Sequence, residues 1–88
     1  METSPAVLTV LGKPDCHLCH VMADAVRRAI AGLDAALVER DVRDDPDAYA
    51  RYRYEIPVLL LGATELARHR VDEGELRARL LSLGILPR

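Results

Sequence analysis

Eighty-eight residues, half of them apolar and none of them Trp or Phe, bound the chain to one small domain, residues 1–88, with an aliphatic core. Twelve basic against fourteen acidic side chains leave a net charge of −2, and the two signs are interspersed, which argues against a nucleic-acid surface and against a polybasic membrane anchor. No apolar stretch approaches the roughly 18 residues of a membrane span, and the polar start Met1–Pro5 is too short for a signal peptide, so the expectation is a soluble, cytoplasmic monomer with flexible ends at 1–5 and 85–88.

In chain order, Ala6 to Leu11 reads as a buried strand and Gly12-Lys13-Pro14-Asp15 as the turn after it. From His17 the periodicity becomes helical. Leu18, Val21, Met22, Ala25, Val26, Ala29 and Ile30 recur at three- and four-residue steps, Asp24, Arg27 and Arg28 fall on the opposite face, and Gly32 ends the helix. Ala36 to Val42 forms a second strand. Asp44-Asp45-Pro46 then supplies an N-cap and a first-turn proline for a short helix through about Arg53. Tyr49, Tyr52 and Tyr54, on and after that helix, are expected to lay their rings against the sheet edge with hydroxyls exposed.

Glu55-Ile56-Pro57 leads into the most hydrophobic run, Val58 to Leu61, with proline at the start of a strand, where the missing N–H is tolerated. Gly62-Ala63-Thr64 gives a tight reversal, and Glu65 to Arg70 returns antiparallel. Asp72 and Glu75 have the spacing of a capping box for a last helix whose core face is Leu76, Leu80, Leu81 and Leu83, stopped by Gly84. The order strand, helix, strand, helix, strand, strand, helix predicts an α/β fold with a four-stranded mixed sheet flanked by helices on both faces. Right-handed crossovers predict the first and third strands as parallel neighbours at its centre.

The chemistry sits in Cys16-His17-Leu18-Cys19, where the first strand hands over to a helix N-terminus. Two intervening residues on a first helical turn bring the sulfurs within reach of a disulfide, and the helix start favours a thiolate. In a reducing compartment such a pair is a redox centre or a metal site before it is a structural staple.

The element order, the segment Gly12-Lys13-Pro14-Asp15-Cys16-His17-Leu18-Cys19 and the Ile56-Pro57 pair before the third strand resemble the small glutaredoxin-like proteins of the thioredoxin-fold superfamily, over residues 6 to 83. The resemblance implies a thiol–disulfide oxidoreductase of βαβαββα order. Cys16, at the helix start, is the nucleophile and Cys19, one turn further in, the resolving cysteine. It also implies a cis Ile56-Pro57 peptide beside the sulfurs, with the Ile56 backbone pairing an extended substrate. Asp72 occupies an acidic position at the last helix. Lys13, the sole lysine, adds positive charge near the thiolate and is a candidate for substrate carboxylates, as is Arg51; Asp15 opposes it.

Dithiol members of that family usually carry Pro-Tyr between the cysteines and Gly-Gly before the acidic residue; here His17-Leu18 and His69-Arg70-Val71 stand there. The expected substrate is accordingly a protein disulfide or a glutathione mixed disulfide, with glutathione as co-substrate, a reductase partner and no permanently bound cofactor. Three rival readings use the same residues. Cys16 to His20 also spells the CxxCH signature of covalent haem attachment, with His69 as a distant axial candidate. Cys16, Cys19 and His20 with His17 or His69 offer a zinc or iron–sulfur set, although structural zinc sites usually join two separated pairs. A non-catalytic redox-sensing or binding module is the third.

Overall fold

The computed structural model describes residues 4–88. Strand β1, Ala6–Gly12, is followed by helix α1, His17–Ala29, and strand β2, Ala35–Asp41. A 3-10 turn at Val42–Asp44 leads into helix α2, Pro46–Tyr52, then strands β3, Val58–Leu61, and β4, Thr64–Arg68, and helix α3, Glu73–Ser82. The four strands form one sheet in the order β2-β1-β3-β4. Of the two ends expected to be flexible, residues 1–3 lie outside the described residues.

β1 and β2 are parallel in the register Ala6↔Ala35 to Gly12↔Asp41, joined by α1 as a crossover. β1 and β3, in contrast to the sequence expectation, are antiparallel, with Leu11 opposite Val58 and Leu8 opposite Leu61. The reason lies in the connection. β2 leaves the sheet at Asp41, level with Gly12, and β3 starts at Val58, level with Leu11, so the chain re-enters at the end it left. Between them, the 7 residues of α2 span only about 10 Å and do not carry the chain back along the sheet. β3 and β4 form the expected hairpin around Gly62, whose φ of 59° suits a residue without a Cβ.

Alternation along β1 divides the core in two. Leu8 and Val10 face α1 and α3, where they pack with Met22, Val26, Ala29, Leu59, Leu76 and Leu80. Leu11 and Val58 face the other way, into a smaller cluster with Val42 and Tyr52. Val42, expected to end the second strand, is instead fully buried in the 3-10 turn. The tyrosines separate in role: Tyr52 is buried in that cluster, while Tyr54 stands 82% exposed, with the Arg53 guanidinium 4.7 Å from its ring centre, and not against the sheet edge.

Both long helices bury a narrower face than their periodicity suggests. On α1 the buried arc is Cys19, Met22, Ala23, Ala25, Val26 and Ala29; Leu18 and Val21 lie to one side of it in the first turns and are exposed. On α3 only Leu76 and Leu80 are buried, and Leu81 and Leu83 are exposed. The chain turns at Gly84, φ 90°, with the Gly84 N–H donating to the Leu81 carbonyl and the Ile85 N–H to the Leu80 carbonyl, a Schellman closure. Ile85 thereby packs against the main core in the place the pattern assigned to Leu83.

The expected flexible end at 85–88 is tied down. The Asp34 N–H donates to the Leu86 carbonyl at 2.8 Å, the Arg88 N–H donates to the Gly32 carbonyl at 3.0 Å, and Leu33 and Pro87 form an isolated antiparallel bridge. None of the helices is long and apolar enough to cross a membrane, among the described residues.

Candidate active site at the β1–α1 junction

β1 ends at Gly12, and the next four residues turn the chain into α1. The Cys16 N–H donates to the Lys13 carbonyl at 3.2 Å, closing the turn, and Cys16 is the N-cap of the helix, with φ −101° and ψ 109°. Its sulfur accepts from the Cys19 N–H at 3.2 Å, and its carbonyl accepts from the His20 N–H at 3.3 Å. The cap thus uses sulfur where most helices use a side-chain oxygen. No acidic residue occupies the first turn of α1, so nothing there opposes the positive end of the helix dipole.

Cys16 and Cys19 are joined as a disulfide, with their Cα atoms 5.2 Å apart. Their environments differ. Cys19 is 4% exposed and belongs to the buried face of α1, whereas Cys16 is half-buried at the helix tip. Of the two residues, Cys16 is the more exposed.

The surrounding side chains sort into three groups. Lys13 and Asp15 flank the turn and are partly or fully exposed. His17 is exposed, and His20 donates from Nε2 to the Pro14 carbonyl at 2.7 Å, bracing the turn that carries Cys16. That bond commits one nitrogen of His20 to the backbone. Among the described residues no group of three or more His, Cys, Asp or Glu is placed to hold a metal ion.

On the far side of Gly12, the Leu11↔Val58 register brings Ile56 and Pro57 to the same end of the sheet. The Ile56-Pro57 peptide is cis, as the family resemblance implies. Pro57 is buried, and its carbonyl accepts from the His69 N–H at 2.7 Å. His69 is the one non-glycine residue with positive φ, 73°, among the described residues, and its Nε2 meets a Glu55 carboxylate oxygen at 2.8 Å. The segment where that family usually carries two glycines therefore adopts a glycine-type backbone at His69, held by bonds to the Pro57 carbonyl and the Glu55 carboxylate.

Asp72 caps α3: its carboxylate accepts from the Glu75 N–H at 2.8 Å. It lines a groove between β4 and α3, of about 520 Å³, with Arg70, Glu75 and Arg79 over an apolar floor that includes Leu66 and Val71. Lys13 and the two cysteines are therefore gathered on one turn and Ile56-Pro57 faces Gly12, while Asp72 sits at the head of a different helix. Arg51 is exposed on α2, with its guanidinium 5.9 Å from the centre of the Tyr52 ring.

Two features of the site escaped the sequence. Gly12 is more than a turn residue, since its α-carbon lies directly against the Cys19 side chain. A glycine as the last residue of a buried strand was the available sign of such a close approach. Asp41, opposite Gly12 in the register, is held by the Arg43 guanidinium and backbone N–H, which lower its pKa from an ordinary 3.8 to about 2. At the other end of the β3–β4 hairpin, Arg68 holds the Glu65 carboxylate below its usual range by a side-chain hydrogen bond.

No curated protein matches the chain. Its fold is similar to that of the Northeast Structural Genomics target protein XcR50 from X. campestris, with 33% identity, 85% of this chain and 96% of that one covered, and a TM-score of 0.68. A malarial protein matches at 18% identity, with 89% of this chain and 96% of that one covered and a TM-score of 0.62. A mutant thioredoxin from Halobacterium salinarum NRC-1 matches at 21% identity, with 90% and 74% covered and the same TM-score of 0.62. The last likeness shows a thioredoxin-like fold. The family model of the glutaredoxin-like domain (DUF836) matches residues 7–81, from the second residue of β1 to the last turn of α3. With a strand-to-helix cysteine pair, a cis proline before β3 and this match along most of its length, the chain belongs to the glutaredoxin-like domain family.

Proposed function

We propose that the protein is a thiol–disulfide oxidoreductase that works by dithiol exchange, with Cys16 as nucleophile and Cys19 as resolving cysteine. The observation that carries this reading is the asymmetry of the pair: the Cys16 sulfur caps a helix and accepts the Cys19 N–H, while Cys19 itself is buried. Backbone donors and the helix dipole stabilise the thiolate of the outer cysteine and do nothing comparable for the inner one.

In the reducing direction, the Cys16 thiolate attacks one sulfur of a substrate disulfide. A Cys16–substrate bond forms, and the other substrate sulfur leaves as a thiolate and takes up a proton. Cys19 then loses its proton to solvent and attacks the Cys16 sulfur. The Cys16–Cys19 bond forms and the second substrate sulfur leaves as a thiolate and takes up a proton, so the substrate gains two electrons and two protons; the pair loses the two electrons, and the protons are balanced by the one Cys19 released and one taken from solvent. The disulfide seen here is the oxidised end of this cycle. A thiol or dithiol reductant, from a small molecule or a partner protein, restores the pair.

The substrate is a protein disulfide or a glutathione mixed disulfide. Lys13, beside the nucleophile, and the Ile56 backbone next to Pro57 are the groups that contact it, with Asp72 at the head of α3 as a charged contact for its further end. Thiol release from insulin, run beside release of glutathione from a cysteine–glutathione mixed disulfide, tests the activity and ranks the two substrates. Cys16→Ser removes activity on both.

A further inference from the structure

We infer that Gly12 is a positioning residue for the resolving cysteine and sets the balance between dithiol and disulfide. A Cβ on Gly12 would lie 2.6 Å from the Cys19 Sγ and 2.7 Å from its Cβ, against 3.9 Å from its Cα. Real side chains do not approach so closely, so any residue but glycine here displaces the Cys19 side chain. Gly12 has no positive φ to account for it; the absence of a side chain is what the position requires.

The two redox states respond unequally to such a displacement. In the disulfide, the Cys19 sulfur is bonded to Cys16 and cannot move off β1. In the dithiol the sulfur is free to rotate toward a cavity of about 270 Å³ lined by Gly12, Cys19, His20 and Asp41, which relieves the 2.6 Å contact, whereas the 2.7 Å contact with the Cys19 Cβ is common to both states and cancels from the comparison. A methyl group at position 12 therefore penalises the oxidised state and the resolving attack, both of which hold the sulfur close to Cys16. The first attack by Cys16 requires no such placement of Cys19. Gly74, whose added Cβ would meet the Asp72 carboxylate at an ordinary 3.5 Å, has no comparable constraint.

This inference rests on the exchange mechanism proposed above only for its kinetic half; the redox equilibrium can be measured whether or not any substrate is turned over. Equilibration of the full-length protein with dithiothreitol buffers should show Gly12→Ala shifted toward the dithiol by about tenfold, equivalent to about 30 mV for a two-electron couple, with Gly74→Ala unshifted. In stopped flow with a disulfide substrate, the bimolecular step at Cys16 should keep its rate and the lifetime of the mixed disulfide should lengthen. An unchanged equilibrium in Gly12→Ala overturns the inference. Absence of any mixed disulfide with wild-type protein, with the equilibrium still shifted, instead counts against the exchange mechanism alone. If Gly12→Ala fails to fold, the thermal midpoint of reduced Gly12→Ala/Cys19→Gly decides: removing the Cys19 side chain should restore folding to that of Cys19→Gly, and a double variant that stays unfolded contradicts the placement.

Discussion

The Cys16 sulfur accepts the backbone N–H of Cys19 at 3.2 Å, so the second cysteine of the pair donates to the first through its main chain while its own side chain is buried. A hydrogen bond to the charged form lowers a thiol's pKa. Reduced protein should be alkylated at Cys16 well below the pH at which a free thiol reacts, and at Cys19 only slowly. Peptide mapping after iodoacetamide pulses across a pH series checks both halves, and equal rates at the two cysteines would remove the asymmetry.

Asp72 carries two assignments that can be separated. Asp72→Ala loses the acceptor for the Glu75 N–H and should cost about 1 kcal/mol, read as a lower denaturant midpoint. Asp72→Asn keeps a good cap and removes the charge. If Asp72 contacts substrate, the Asn variant should raise KM at unchanged stability; an unchanged KM leaves the residue as a cap alone.

Asp41 and Arg43 make acid stability depend on pH in a defined window. The folded carboxylate titrates at about 2, below its ordinary 3.8, because Arg43 binds the charged form. The unfolded chain therefore takes up the proton first. The stabilisation is complete above 3.8 and is lost as the pH falls toward 2. Arg43 is exposed and Asp41 partly so, so salt should weaken the effect. An NMR titration of Arg43→Ala should return Asp41 toward the ordinary carboxylate range.

The last helix distinguishes a buried leucine from an exposed one three residues on. Leu80 is fully buried, and Leu80→Ala should destabilise by about 2–5 kcal/mol. Leu83 is 53% exposed, and Leu83→Ala should stay within about 0.5 kcal/mol. Urea unfolding of the two variants reads the difference directly, and a Leu83 cost equal to that of Leu80 would contradict the packing.

Most elements were legible because their signals are local: a short apolar run in β1, three- and four-residue steps in α1, and caps at Asp45 and Asp72 that the structure retains. Strand direction was not, since an apolar run such as Val58–Leu61 reads the same in either sense and only the shortness of α2 decides it. Leu83 looked like core because its spacing fits, but the Schellman turn at Gly84 gives that place to Ile85, a contact created by backbone bonds. The dithiol stood out from spacing and context. Gly12 did not, because reading it as the first turn residue hid its other sign, a glycine ending a buried strand, and nothing local says that a sulfur packs against it.

The most direct measurement of the central claim is capture of the exchange intermediate. Reduced Cys19→Ser, mixed with a disulfide-bonded protein and quenched with acid, should give a stable adduct joined at Cys16, seen as a mass equal to the two proteins together and abolished by dithiothreitol. Wild-type protein under the same conditions should release the substrate thiol and return to its own disulfide. An adduct joined at Cys19 in the reciprocal Cys16→Ser variant, with none at Cys16, would contradict the assignment.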